Sequence, residues 1–146
     1  MNVNGEYQLH AEPEKVWQLL LDPDSLASCI PGGQELRLVG PDEYEASVKI
    51  GVPAVRGEYK GKVRIRDKNP PNSFRMEVEG RGRLGTINGI GLLELAGTTD
   101  TTVVTYSGEY QVAGLIAAVG QRLFEPVAQM LTSQFFGCLE SKLAQS

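Results

Sequence analysis

The chain has 146 residues, a net charge of −4, 41% hydrophobic and 22% charged residues, enough for one domain with one core. The acidic balance leaves no basic excess to neutralise phosphates, which argues against a nucleic-acid binder. Uncharged runs such as Tyr110 to Gln121 and Pro126 to Leu139 are too short to span a bilayer, and the opening MNVNGEYQLH lacks the basic and apolar regions of a signal peptide, so the expectation is a cytoplasmic protein.

Asn2 to His10 alternate, with Val3, Gly5, Tyr7 and Leu9 on one face, and predict a half-buried strand. Pro13 and Glu14 open a short helix whose apolar positions are Val16, Trp17, Leu19, Leu20 and Leu21. Asp22-Pro23-Asp24 stops that helix and starts a second over Ser25 to Cys29, and Ile30-Pro31-Gly32-Gly33 is a turn. Gln34 to Gly40 and Asp42 to Ile50 form two strands, the second with Tyr44, Ala46, Val48 and Ile50 on one face.

Val55 to Arg66 has the cleanest alternation. Val55, Gly57, Tyr59, Gly61, Val63 and Ile65 oppose Arg56, Glu58, Lys60, Lys62, Arg64 and Arg66, so a register slip would bury six charges. After the turn Asn69-Pro70-Pro71-Asn72, Phe74, Met76, Val78 and Gly80 face one way. Leu84 to Leu95 is strand-like but glycine-rich, and a bulge or a loose connection is expected near Asn88-Gly89. Thr101 to Val112 closes the sheet, with Val104, Tyr106, Gly108 and Tyr110 inward.

Leu115 to Leu143 reads as one helix about 43 Å long, interrupted by Pro126. At 100° per residue, Ile116, Val119, Leu123, Val127, Met130, Leu131 and Cys138 share a side, joined by Gly120, Gly137 and Gln134. The glycines leave volume empty and a buried amide needs a partner. The expectation is therefore a gap between helix and sheet. From the sheet its walls are Tyr44, Val48, Tyr59, Val63, Phe74, Met76, Val78, Tyr106 and Tyr110. From the helix they are Leu123, Val127, Met130, Leu131 and Gln134. The alternative is that these residues fill an ordinary core. The apolar loop residues Ile30, Pro31, Val52, Pro53, Ile87, Ile90, Leu115 and Ile116 are expected at one end, as a pocket mouth, a membrane or partner contact, or a cap on the core.

Catalytic sets are scarce. The single histidine, His10, reads as a solvent-exposed strand end, with no serine or cysteine to place beside it. Cys29 and Cys138 lack metal spacing, and although they could meet, they read as two small buried side chains in a reducing compartment. No cofactor or metal is expected. The glycine-rich stretches Arg81 to Gly85 and Asn88 to Gly91 lack the spacing and strand–helix context of a phosphate loop.

The opening strand, Pro13-Glu14-Lys15-Val16-Trp17 and Leu21-Asp22-Pro23 resemble the helix-grip superfamily (SRPBCC) of the START domains and the birch pollen allergen. Cys29-Ile30-Pro31-Gly32, Tyr44-Glu45-Ala46, Val48-Lys49-Ile50-Gly51, Gly57 to Val63 and Pro70-Pro71 resemble the CoxG family of carbon monoxide dehydrogenase subunits. The resemblance implies an α+β helix-grip domain over residues 1–146: a seven-stranded curved antiparallel sheet around a long C-terminal helix, with two short helices after the first strand. It also implies a non-catalytic accessory role beside a molybdenum hydroxylase, handling a quinone or lipid and linking the enzyme to the membrane. Many members carry a C-terminal membrane segment; this sequence ends at Ser146 without one, so the expectation is transient membrane contact or cavity binding. Two alternatives are a cyclase or hydrolase of the superfamily, with Tyr44, Tyr59, Tyr106 and Tyr110 as its inward polar groups, and a recruitment factor whose cavity is unused.

Overall fold

A computed structural model describes residues 2–144. Strand β1 (Asn2–Leu9) leads into helices α1 (Pro13–Leu20) and α2 (Pro23–Cys29). Strands β2 (Gly33–Gly40), β3 (Glu43–Ile50), β4 (Gly57–Asn69), β5 (Ser73–Gly82), β6 (Gly85–Gly97) and β7 (Thr102–Ala113) follow, and α3 (Gln121–Ala144) ends the chain. The sheet has seven strands in the order β1-β7-β6-β5-β4-β3-β2, every neighbouring pair antiparallel. Short turns join successive strands from β2 to β7 as hairpins. Only β1 pairs out of sequence, lying against β7 with Val3 opposite Gly108 and Leu9 opposite Thr102.

The short helices follow their local signals. Pro13 occupies the first turn of α1, which buries Val16, Trp17 and Leu20. Asp22 caps α2 by accepting from the Ser25 backbone N–H at 3.3 Å and from its hydroxyl at 2.6 Å. Alternation in β4 holds its register against both neighbours, with Tyr59 opposite Val48 and Gly82. The bulge expected near Asn88-Gly89 is absent: Gly89 lies opposite Val78 on one side and Tyr110 on the other, in unbroken register. Pairing on both edges leaves the backbone no freedom to loop out.

The C-terminal segment departs from expectation. Leu115–Val119 forms a separate 3-10 turn, and α3 is 24 residues long, about 36 Å. The break falls at Gly120, whose φ of +78° lies in the left-handed region, and not at Pro126, which stays inside the helix. Ile116 is anchored just before the break. Its side chain is 1% exposed, and its N–H donates to the Leu84 carbonyl at 2.7 Å.

On the wheel the buried face of α3 lies roughly 150° from the stripe projected from Ile116 and Val119, which belong to the separate turn before Gly120. Phe124, Phe136, Leu139 and Leu143 are buried instead, while Leu123 is 53% and Met130 40% exposed and Gln134 is also exposed.

Cys29 and Cys138 form a disulfide, which corrects the expectation of two separate thiols and removes the inference of a reducing compartment drawn from them. Packing of α2 against α3 brings their Cα atoms to 5.4 Å across 109 residues of sequence. Nearby, the His10 backbone N–H donates to Glu140 at 3.1 Å and its ring Nδ1 pairs with the same carboxylate, so this strand end is tied to α3.

Two apolar clusters hold sheet and helices together. In the larger, Leu9, Trp17, Phe74, Leu93, Leu95 and Val104 meet Phe136, Leu139 and Leu143 of α3. The Phe136 ring stacks between Tyr7, at 5.3 Å, and Tyr106, at 5.6 Å. The smaller joins Val55, Tyr59, Ile116 and Phe124 near the 3-10 turns Pro53–Val55 and Leu115–Val119.

Candidate functional site

Between the two clusters the sheet and α3 do not close. Strand pairing explains why. One inward-facing row runs Ile65, Met76, Gly91, Gly108 and Val3 across β4, β5, β6, β7 and β1. The next runs Val63, Val78, Gly89 and Tyr110. Three glycines thus sit side by side on the concave face, and two of them, Gly91 and Gly108, are direct cross-strand partners. None has the positive φ that would demand glycine. At Gly91 a Cβ would meet only ordinary contacts, Ser107 O at 3.6 Å and Met76 at 3.8 Å. What glycine supplies there is empty space.

The result is an open cleft of about 370 Å³. Met76, Val78, Ile87, Leu93, Tyr106 and Tyr110 form its sheet wall, and Leu131, Thr132, Phe135 and Phe136 its helix wall, with Pro31 at the lip and Val3 at the edge. The Thr132 hydroxyl donates to the Ala128 carbonyl at 2.7 Å, which leaves the helix wall effectively apolar. A void of this size and lining accommodates a small lipophilic molecule.

Of the residues expected in a cavity, Met76, Val78, Tyr106, Tyr110 and Leu131 line the cleft. The others lie elsewhere. Tyr44 is buried and donates to the Leu21 carbonyl at 3.3 Å, and Phe74 packs edge-on against Trp17. Tyr59 donates to the Val55 carbonyl at 2.7 Å and closes the smaller cluster with Val48 and Val127. Val63 shares a row with Val78 but lies outside the lining. Leu123 points to solvent, and Met130 and Gln134 border a separate shallow hollow of about 290 Å³ with Pro31, Val52 and Leu131. Gln134 is thus not the buried amide that its place on the projected stripe implied.

The apolar loops gather only in part. The Pro53–Val55 turn packs against the Leu115–Val119 turn. Ile116 is core, Val52 and Ile87 pack on the smaller cluster, and Ile30 caps α2. Leu115 is 75% exposed. Ile90 is 60% exposed and alternates onto the outer face opposite Glu77 and Glu109, reaching only the cleft's edge.

Sequence reasoning missed Val3, Gly89, Gly91, Leu93, Thr132, Phe135 and Phe136. The available signal was Gly89-Ile90-Gly91 itself, two glycines at strand spacing on one face, which read as a bulge.

Burial pushes the Tyr44, Tyr59, Tyr106 and Tyr110 hydroxyls above the ordinary value of 10.0, with further upward pressure from Asp42 on Tyr44 and from Glu125 on Tyr110. Among the described residues no group of three His, Cys, Asp or Glu could hold a metal ion, and no helix is long and apolar enough to cross a membrane.

A curved antiparallel sheet gripping a long C-terminal helix, with two short helices after the first strand, is the START-like helix-grip fold. A START superfamily protein from Mycobacterium smegmatis shares it, with a TM-score of 0.78 at 12% identity over 99% of this chain and 97% of that one. So does a norcoclaurine synthase point mutant from Thalictrum, solved with a transition-state analogue, with a TM-score of 0.61 at 19% identity over 97% and 96% of the two chains. Residues 5–144 match the model of CoxG, a family of carbon monoxide dehydrogenase subunits, and the chain belongs to that family. It is also similar to a conserved protein from Geobacillus kaustophilus, at 37% identity and a TM-score of 0.97 over 100% of this chain and 97% of that one. A search of curated protein sequences gave no match.

Proposed function

We propose that this protein is a non-catalytic accessory component of a molybdenum hydroxylase of the carbon monoxide dehydrogenase type. In this reading its single domain, residues 1–146, carries a lipophilic molecule, a quinone or a lipid, between the membrane and that enzyme. Membership of the CoxG family supports the client. The observation that carries the ligand class is the cleft over Gly89, Gly91 and Gly108, apolar on both walls and open to solvent. The exposed Leu115 and Leu123 support brief contact with the inner face of the membrane from the cytoplasm. The upward pKa direction of all four inward tyrosines is opposite to that of an activated phenolate, which weighs against the cyclase or hydrolase alternative.

Organic extraction of the purified protein, followed by mass spectrometry, tests the ligand. Recovery of a quinone or lipid, or saturable binding of a short-chain quinone, is the expected result. An empty extract together with no binding in titration sinks the carrier role. Co-purification with the hydroxylase that survives filling of the cleft would leave recruitment alone.

A further inference from the structure

The opposite face of the sheet holds a larger concavity, about 550 Å³, and its lining is polar. Outward alternation in β2 to β6 puts four cations there, Arg37, Lys60, Lys62 and Arg81, with three carboxylates, Glu35, Glu45 and Glu79. These charges are not evenly matched. The Arg37 guanidinium lies 3.0 Å from Glu35 and 3.1 Å from Glu45. Further along β4, Arg64, Arg66 and Lys68 pair with Glu43, Glu77 and Asp42. Lys60, Lys62 and Arg81 make no ion pair among the described residues, although Lys62 stands opposite Glu79.

Register makes the mismatch sharper. Lys60 lies directly opposite Arg81, and like charges so placed disfavour the strand pair. On the same cross-strand row Ser47 flanks Lys60 and Thr86 flanks Arg81. The row therefore reads hydroxyl, cation, cation, hydroxyl, a set of donors at the bottom of a trough.

We propose that this trough is a second binding site, for a small ligand bearing one compact dianionic oxyanion such as a phosphate monoester, held between Lys60 and Arg81. Arg81 supplies a planar fork and Lys60 a point charge, the two usual ways of gripping a phosphate. Ser47 and Thr86 supply neutral donors. Glu45 and Glu79 on the adjoining row repel a second negative group, so the rest of the ligand is neutral and polar and lies toward Asn88. The chain as a whole is acidic, so the site works by contact and not by long-range attraction.

Calorimetric titration and thermal shift, with inorganic phosphate, glycerol phosphate and vesicles of phosphatidic acid in phosphatidylcholine as probes, test this at matched ionic strength. Saturable binding of phosphate or its soluble ester, weakened about tenfold or more by Lys60→Gln or Arg81→Gln and unchanged by Arg64→Gln, is expected. Both trough variants remove an exposed charge from a like-charge pair, so each should melt no lower than the parent without ligand, which separates lost binding from lost folding. Binding of vesicles but not of the soluble ester, with the same variant pattern, would assign the phosphate to a lipid headgroup. A response to phosphate no larger than to chloride, or equal responses from Arg81→Gln and the parent, overturns the site.

Discussion

The C-terminal end of α3 and its middle turn meet the same sheet with opposite outcomes. Near its C-terminal end, Phe136 stacks between two tyrosine rings, Leu139 and Leu143 are buried, Cys138 is bonded to Cys29 and Glu140 holds His10. One helical turn earlier, Leu131 and Thr132 face Gly91 and Gly108 across a void. Hydrophobicity barely differs between the two. The difference is side-chain volume on the strands beneath: aromatic rings and leucines close the C-terminal half, Phe124 and Val127 meet the smaller cluster at the start, and glycines leave the middle open.

That contrast can be broken from either side. Phe136→Ala should have the largest effect, a loss of about 3–5 kcal/mol in denaturant unfolding, because three rings lose their common partner. A loss under 1 kcal/mol would mean that the closed half is not what holds α3 down. Cys138→Ser should lower stability by about 2–4 kcal/mol, since the bond spans 109 residues; the parent should lose a similar amount on adding a thiol reductant, and the variant none.

Gly91→Val should change stability by less than about 1 kcal/mol, because its Cβ meets no clash, yet weaken binding of a short-chain quinone about tenfold or more by filling the cleft. Unchanged affinity in fluorescence titration would detach the ligand from this void.

The smallest effect is on pH dependence. Raised tyrosine pKa values mean that the folded state keeps its protons longer than the unfolded chain. This contribution to stability is whole below pH 10.0 and is lost as pH rises through the folded-state values. Removing the hydroxyl of Tyr106, which stacks on Phe136 and also lines the cleft, with Tyr106→Phe should flatten that alkaline decline, as read by thermal unfolding from neutral pH to above 10.0.

Much of the sheet was legible because alternation is a local signal with a severe penalty for error. In β4 a slip by one residue would bury Lys60, Lys62 and Arg64 together, and the register is the one alternation predicts. Pro13 and Asp22 likewise marked the helix starts. The cleft was legible only as a class of space. Its sheet wall includes Met76, Val78, Tyr106 and Tyr110 as expected, but its helix wall was displaced. The wheel was anchored on Ile116 and Val119, which lie in a separate turn before the left-handed Gly120, and it selected Leu123, Met130 and Gln134 where Thr132, Phe135 and Phe136 line the cleft. The Cys29–Cys138 bond was illegible for another reason: 109 residues of separation carry no pairing information until α2 is seated on α3.

The amino-acid sequence alone determined which residues face inward on each strand, where the chain turns, and that the inner surface is greasy and rich in glycine. Those properties are set within a few residues by side-chain alternation and backbone sterics. The tertiary structure alone decided which part of that surface stays uncovered. That choice depends on where Gly120 restarts the final helix and on which glycines strand pairing sets side by side. Both are relations between residues far apart in the chain, which no local pattern encodes.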